Sequence, residues 1–199
     1  MSVQDRIDAV LDDLPPIDGL DPYVSYTFRD CANLPPEADP YAIAVRVLDF
    51  PEHTDIAQGG ALIDFMFRLA EKNKGGRRVI GMCYCKPAAM GDLQDLFADL
   101  LERRLGRMPD FLVLLDWQYW VDATPLQREI LVHHELCHAG QARDIFGGPR
   151  FTRDGLPVWA IKAHDLEEFN ASVRRYGMHS PDVEAFLAAI SENIEGGDG

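Results

Sequence analysis

The 199-residue chain reads as an α+β protein, a small sheet packed against several helices. Three observations predict this class. Helix-period and strand-like segments are interspersed along the chain. The strand-like segments are too few for a doubly wound sheet. Apolar content of 47% and charged content of 26% are ordinary for a globular chain, and this length buries a sizeable core without staples.

Each element has its own signal. Residues 3–14 place Ile7, Val10, Leu11 and Leu14 at helical spacing, and Pro15-Pro16 stops them. Residues 15–39, rich in Pro and Asp, read as an extension or wrapping loop with one strand-like piece, "YVSYTF". Residues 39–50 start well for a helix at Asp39-Pro40 despite β-branched content, and are assigned to one. Residues 54–76 are assigned to a single helix, with Leu62, Phe65, Met66 and Leu69 on one face and Gly75-Gly76 as its stop. "RRVIGMCYCK" follows as a strand. "GDLQDLFADLLERRLG" is a second helix, with Leu93, Phe97, Leu100 and Leu101 on one face and Gly106 at its end.

"DFLVLLDWQYWV" (110–121) is the strongest strand, apolar throughout its first half and alternating in its second. The next helix opens with Thr124-Pro125-Leu126-Gln127, a capping-box signature, and runs to about Gly140. "FGGPRFTRDGLP" is a loop. "AHDLEEFNASVRRYG" reads as a helix stopped by Gly177, and Ser180-Pro181 opens a last amphipathic helix. The organisation expected is an N-terminal extension (1–49), one domain (50–179), and a C-terminal helix with an acidic tail (180–199).

A formal net charge of −14 speaks against nucleic-acid and anionic-membrane partners. Cys31, Cys83, Cys85 and Cys137 form no C-x-x-C pair, and read as buried thiols in a reducing compartment. The acidic N-terminus lacks a signal-peptide core, and no apolar run is long enough to span a bilayer. A cytoplasmic location is expected. The oligomeric state is not legible.

The chemistry concentrates in "LVHHELCHAG" (131–140). His134-Glu135-Leu136-Cys137-His138 is an H-E-x-x-H placed in mid-helix. Four-residue spacing puts His134 and His138 on one face, where two imidazoles can reach one zinc ion. Glu135 is rotated about 100° from His134, so its carboxylate can serve a water as general base without ligating the metal. His133 and Cys137 are also four apart, on the neighbouring stripe. They are a rival metal pair, set against a solvated histidine and a small core cysteine.

A catalytic zinc (Zn2+) site needs a third protein ligand. Asp144 occupies the last ligand position of the longer metzincin pattern, but Gln141 replaces its turn glycine. His164, Glu167 and Glu168 fall at i, i+3 and i+4 of the predicted helix, and either His164 or Glu168 suits a zinc site. A helix-start role for His164-Asp165 is the plain alternative. His53 and His179 look like isolated surface residues.

These segments carry a resemblance. "GGRRVIGMC", "DFLVLL…W", "PLQREILVHHELCHA" and "HDLEEFNASVRRYG", over residues 50–178, resemble the phage metallopeptidase domain family. The resemblance implies a zincin-like fold with the H-E-x-x-H on a central helix, and a zinc-dependent peptidase acting on a peptide or protein. It implies His134, His138 and His164 as ligands and Glu135 as general base, with Glu168 the next ligand candidate. Asp165 or Glu168 would steady a ligand histidine. For a phage-encoded chain the compartment is the host bacterial cytoplasm. Two rival functions remain: a zinc-pinned protein that sequesters a host factor, and a non-peptide zinc hydrolase or amidase. The strand at 110–121 is read as a core strand, with an edge that aligns substrate as the weaker alternative.

Overall fold

The computed structural model describes residues 26–27, 34–85, 94–166, 170–177 and 180–196. The chain divides into two units, Met1–Lys162 and Ala163–Gly199. The predicted helix at 3–14 lies outside the described residues.

The first unit is α+β with a small mixed sheet. Its main sheet has the order β1-β2-β6-β5, from β1 (Tyr26–Thr27), β2 (Ile63–Arg68), β6 (Phe111–Asp116) and β5 (Gly81–Cys85). β2 and β6 run parallel, from Ile63 beside Phe111 to Arg68 beside Asp116. β1 and β5 pair antiparallel with β2 and β6 respectively. β6 is hydrogen-bonded on both sides and buried along its length, which rules out the substrate-edge reading of this strand.

Residues 54–76 are not one helix. A short α2 (Thr54–Gln58) ends at Gly59-Gly60, with Gly60 at φ 68, and β2 follows. The apolar positions fit both periods, and partner strands decided between them. β2 buries Asp64 through Arg68 between its neighbours, which a surface helix could not do. Gly75 and Gly76, at φ 59 and 74, turn a two-residue hairpin between β3 (Asn73–Lys74) and β4 (Arg77–Arg78) instead of ending a helix.

The helix predicted at 39–50 is α1 (Pro40–Val47). The Asp39 carboxylate accepts the Tyr41 N–H at 2.9 Å, which is its cap. Ala38, Ile43, Ala44 and Val47 enter the core, so residues 34–49 are built into the body of the unit. They pack with Phe65, Phe67, Val113 and Leu115 on one sheet face, and with Leu131, Val132 and Leu136 of α5 (Pro125–Cys137). The opposite face packs Met66, Leu112 and Leu114 against Leu101 of α3 (Gln94–Leu105). Gly106, at φ 73, stops α3 as expected.

The second half of the predicted strand at 110–121 is also corrected. Trp117–Asp122 form a short helix, α4, because Asp116 caps it by accepting the Tyr119 N–H at 3.0 Å. Alternation of aromatic residues could not reveal that. The Asp116 carboxylate is buried between two cations. Arg68 Nη2 lies 3.2 Å from one oxygen and Arg78 Nη2 2.6 Å from the other. One carboxylate thus ties the ends of β2 and β6 to the β4 strand and starts α4.

α5 begins on its predicted capping box. The Gln127 N–H donates to Thr124 Oγ1 at 3.3 Å, and the Thr124 N–H donates to Gln127 Oε1 at 2.8 Å. Such a cap contributes about 1 kcal/mol. α5 is followed by a small hairpin of β7 (Ala139–Gln141) and β8 (Trp159–Ile161).

The second unit holds α6 (Asn170–Tyr176) and α7 (Pro181–Gly196). The Val183 N–H donates to Ser180 Oγ at 3.4 Å, the predicted cap of α7. The helix predicted from residue 163 starts later than expected. His164, Asp165 and Leu166 are not helical, so His164 does not share a helix face with residues further on. Among the described residues, no helix is long and apolar enough to cross a membrane.

Candidate metal and catalytic centre

The H-E-x-x-H closes α5; it does not lie in mid-helix. Cys137 is the last helical residue and His138 is the C-cap, at φ −72 and ψ −22. Those dihedrals are still helical, so the one-turn relation of His134 and His138 survives although the chain enters β7 at Ala139. Their ring centroids lie 5.1 Å apart with planes at 85°.

The hairpin that follows orients His138. β7–β8 pairing returns the chain to the helix end, where the Lys162 N–H donates to the His138 carbonyl at 2.7 Å. The Lys162 carbonyl oxygen lies 2.9 Å from His138 Nδ1. A carbonyl only accepts, so Nδ1 carries the proton, and in the neutral ring Nε2 holds the lone pair. Backbone contacts of this kind fix the tautomer of histidines that bind metals.

Glu135, the next residue along the helix from His134, is only 4% exposed. Burial raises its carboxyl to about 7. Its side chain packs on the backbone of Gly81 at the start of β5, where any Cβ would collide with the carboxyl group. Gly81→Ala is therefore expected to leave the fold intact but displace Glu135, with a large loss of whatever turnover depends on it. Wild-type kcat in a folded Gly81→Ala protein would contradict that placement.

Glu135 and His134 open onto a cavity of about 270 Å³, together with Tyr119 of α4. Ile80, Ile130 and Leu131 supply its apolar wall. Ile80 and Gly81 lie in "GGRRVIGMC", one of the segments that carry the resemblance, but nothing in that segment marked them as lining a site. The one available cue was a glycine inside an apolar strand, which signals a close approach by another group.

The other candidates divide as follows. His164 and Asp165 are exposed residues of the second unit, and Glu168 and His179 lie outside the described residues. Asp144 accepts the N–H groups of Phe146 and Gly148 at 2.8 and 2.9 Å and so holds the tip of its loop. His53 is not a surface residue: it is fully buried, with Nε2 2.9 Å from His133 Nδ1. Cys137 is exposed and not a core residue, while Cys83 and Cys85 are half-buried. Burial, with Glu135 nearby, pushes the Cys83 thiol far up, so it stays protonated.

Comparison with known proteins identifies the family. The family described as "Putative phage metallopeptidase" matches residues 35–191, and the chain belongs to it. That description implies a metal-dependent peptidase. No curated protein and no solved structure shows significant similarity to the chain.

Proposed function

We propose that the chain is a zinc-dependent peptidase with a zincin-like site, in which His134, His138 and His164 hold the ion and Glu135 is the general base. The observation that carries this reading is the buried Glu135 carboxylate, set against Gly81 and opening with His134 onto one cavity. A carboxylate kept out of water beside two helix-end imidazoles suits proton transfer better than a structural pin.

The donor set fits zinc. His134 and His138 present nitrogens within 4.8 Å of one another, and the Lys162 contact makes Nε2 the lone-pair nitrogen of a neutral His138. The segment "HDLEEF", which carries much of the family resemblance, opens on His164, and this favours His164 as the third ligand. Glu168 is the alternative ligand, and Asp165 is suited to steadying a ligand histidine. Zinc, when bound, would polarise the scissile carbonyl and make a water acidic. Glu135 would take the proton of the attacking water and deliver it to the leaving amine. Leu126 and Ile130 are exposed at four-residue spacing on the stripe that leads to His134. They favour a peptide with a large apolar residue beside the scissile bond.

A fluorogenic peptide library tests the proposal, using protein stripped of metal and then reloaded with zinc. Cleavage that returns with zinc, strongest for apolar side chains, is expected. Zinc-loaded protein that leaves every peptide uncut would favour the sequestering protein, and cleavage confined to cell-wall amides would favour the amidase.

A further inference from the structure

The stripe of α5 beside the proposed centre carries a second set of donors. We propose that His53, His133 and Cys137 form a separate site for a borderline divalent ion, zinc or its surrogate cobalt, which pins the end of α5 to the segment before α2. His133 and Cys137 lie one turn apart on α5, about 100° around from His134 and His138. His53 comes from a 3-10 turn, Pro51–His53. One donor atom from each residue lies within 4.8 Å of the others. His53 Nε2 is 2.9 Å from His133 Nδ1, and Cys137 Sγ is 3.7 Å from His133 Nε2. These two contacts use opposite nitrogens of the His133 ring, and a ring gives one nitrogen to an ion, so His133 must turn or shift to bring a single nitrogen, His53 Nε2 and Cys137 Sγ around one ion, starting from donors within 4.8 Å of one another. An ion would replace the shared proton between the two histidines.

The burial of His53 needs a reason. It is fully buried and its Nδ1 has no hydrogen-bond partner, so an apolar side chain would serve the core better. The imidazole instead directs Nε2 at His133, whose ring is braced edge-on by Phe50 at 5.7 Å. Two nitrogens and a thiolate select borderline or soft metals over magnesium or calcium. Three protein donors leave a fourth position for water or another group. The ion's effect is mechanical: it ties residues 51–53 to the turn that carries Glu135 and His138. This proposal does not depend on peptidase activity.

Cobalt distinguishes the two sites, because only the second contains a thiolate. The full-length protein is stripped of metal, titrated with cobalt, and followed by bound metal per chain and by near-ultraviolet thiolate-to-cobalt absorption. The wild type is expected to take a second equivalent and to show the thiolate band. Cys137→Ser, at an exposed position, should lose the band and one equivalent while keeping the other. His134→Ala should lose one equivalent and keep the band. His53→Gln, checked for folding by circular dichroism, should behave like Cys137→Ser. Absence of a thiolate band in the wild type, or a band and stoichiometry unchanged in Cys137→Ser, overturns the second site. A band without the other equivalent would instead count against the His134–His138 centre alone.

Discussion

Glu135→Gln is expected to lower kcat by about 10²–10⁴-fold while the protein still binds the proposed zinc. The substitution preserves shape and removes the ability to take a proton. Because Glu135 is placed as a base and not a ligand, metal content by elemental analysis should match the wild type. Loss of both metal and turnover would instead make Glu135 a ligand or a structural group. Stability gives an independent readout in the metal-free protein. Burial raises the carboxyl from 4.5 to about 7, so the folded state favours the protonated form. The resulting cost is absent below the unfolded value, develops as pH rises through the folded one, and is fully present above about 7. Metal-free Glu135→Gln should therefore be more stable than the wild type at pH 8, by up to about 3 kcal/mol, and equal to it near pH 4. Bound zinc should shrink this difference, because a cation beside the carboxylate favours its charged form.

Asp116→Ala should destabilise the fold by about 3–5 kcal/mol, the largest stability effect expected of a single polar residue here. Its carboxylate is the buried partner of Arg68, which is itself only 3% exposed. Removing it leaves a buried guanidinium without its counter-charge and α4 without its cap. Burial works to raise the Asp116 carboxyl. Hydrogen bonds from Arg78, the Tyr119 N–H and Arg68 outweigh it and hold the group below the usual carboxylate range. Its contribution to stability is thus present above the unfolded carboxylate value and lost as pH falls through the lower folded one. Urea denaturation at pH 7 measures the difference. A loss below about 1 kcal/mol would mean that solvent or another acid compensates Arg68.

Local signals proved dependable wherever a few neighbouring residues decide the outcome. Asp39-Pro40, Thr124 with Gln127, Gly106 and Ser180 mark helix ends through hydrogen bonds or dihedrals confined to one turn. Residues 54–76 and 117–122 misled because their apolar spacing fits more than one period. In the first case the choice came from β6, nearly fifty residues away in sequence. In the second it came from Asp116, a carboxylate whose burial between Arg68 and Arg78 no pattern announces.

The same division runs through the candidate site. By itself the sequence determined the pairing of His134 with His138, the offset of Glu135 and the family, because helical spacing and short motifs are written in consecutive residues. Only the tertiary structure decided which groups meet those side chains. Gly81 reaches Glu135 through sheet pairing, Lys162 reaches His138 through the β7–β8 hairpin, and His53 leaves the surface to meet His133. Each of these contacts joins residues that are far apart in the chain. They form because burial of the sheet's two faces fixes where the chain must return, and that constraint belongs to the whole fold, not to any local run of residues.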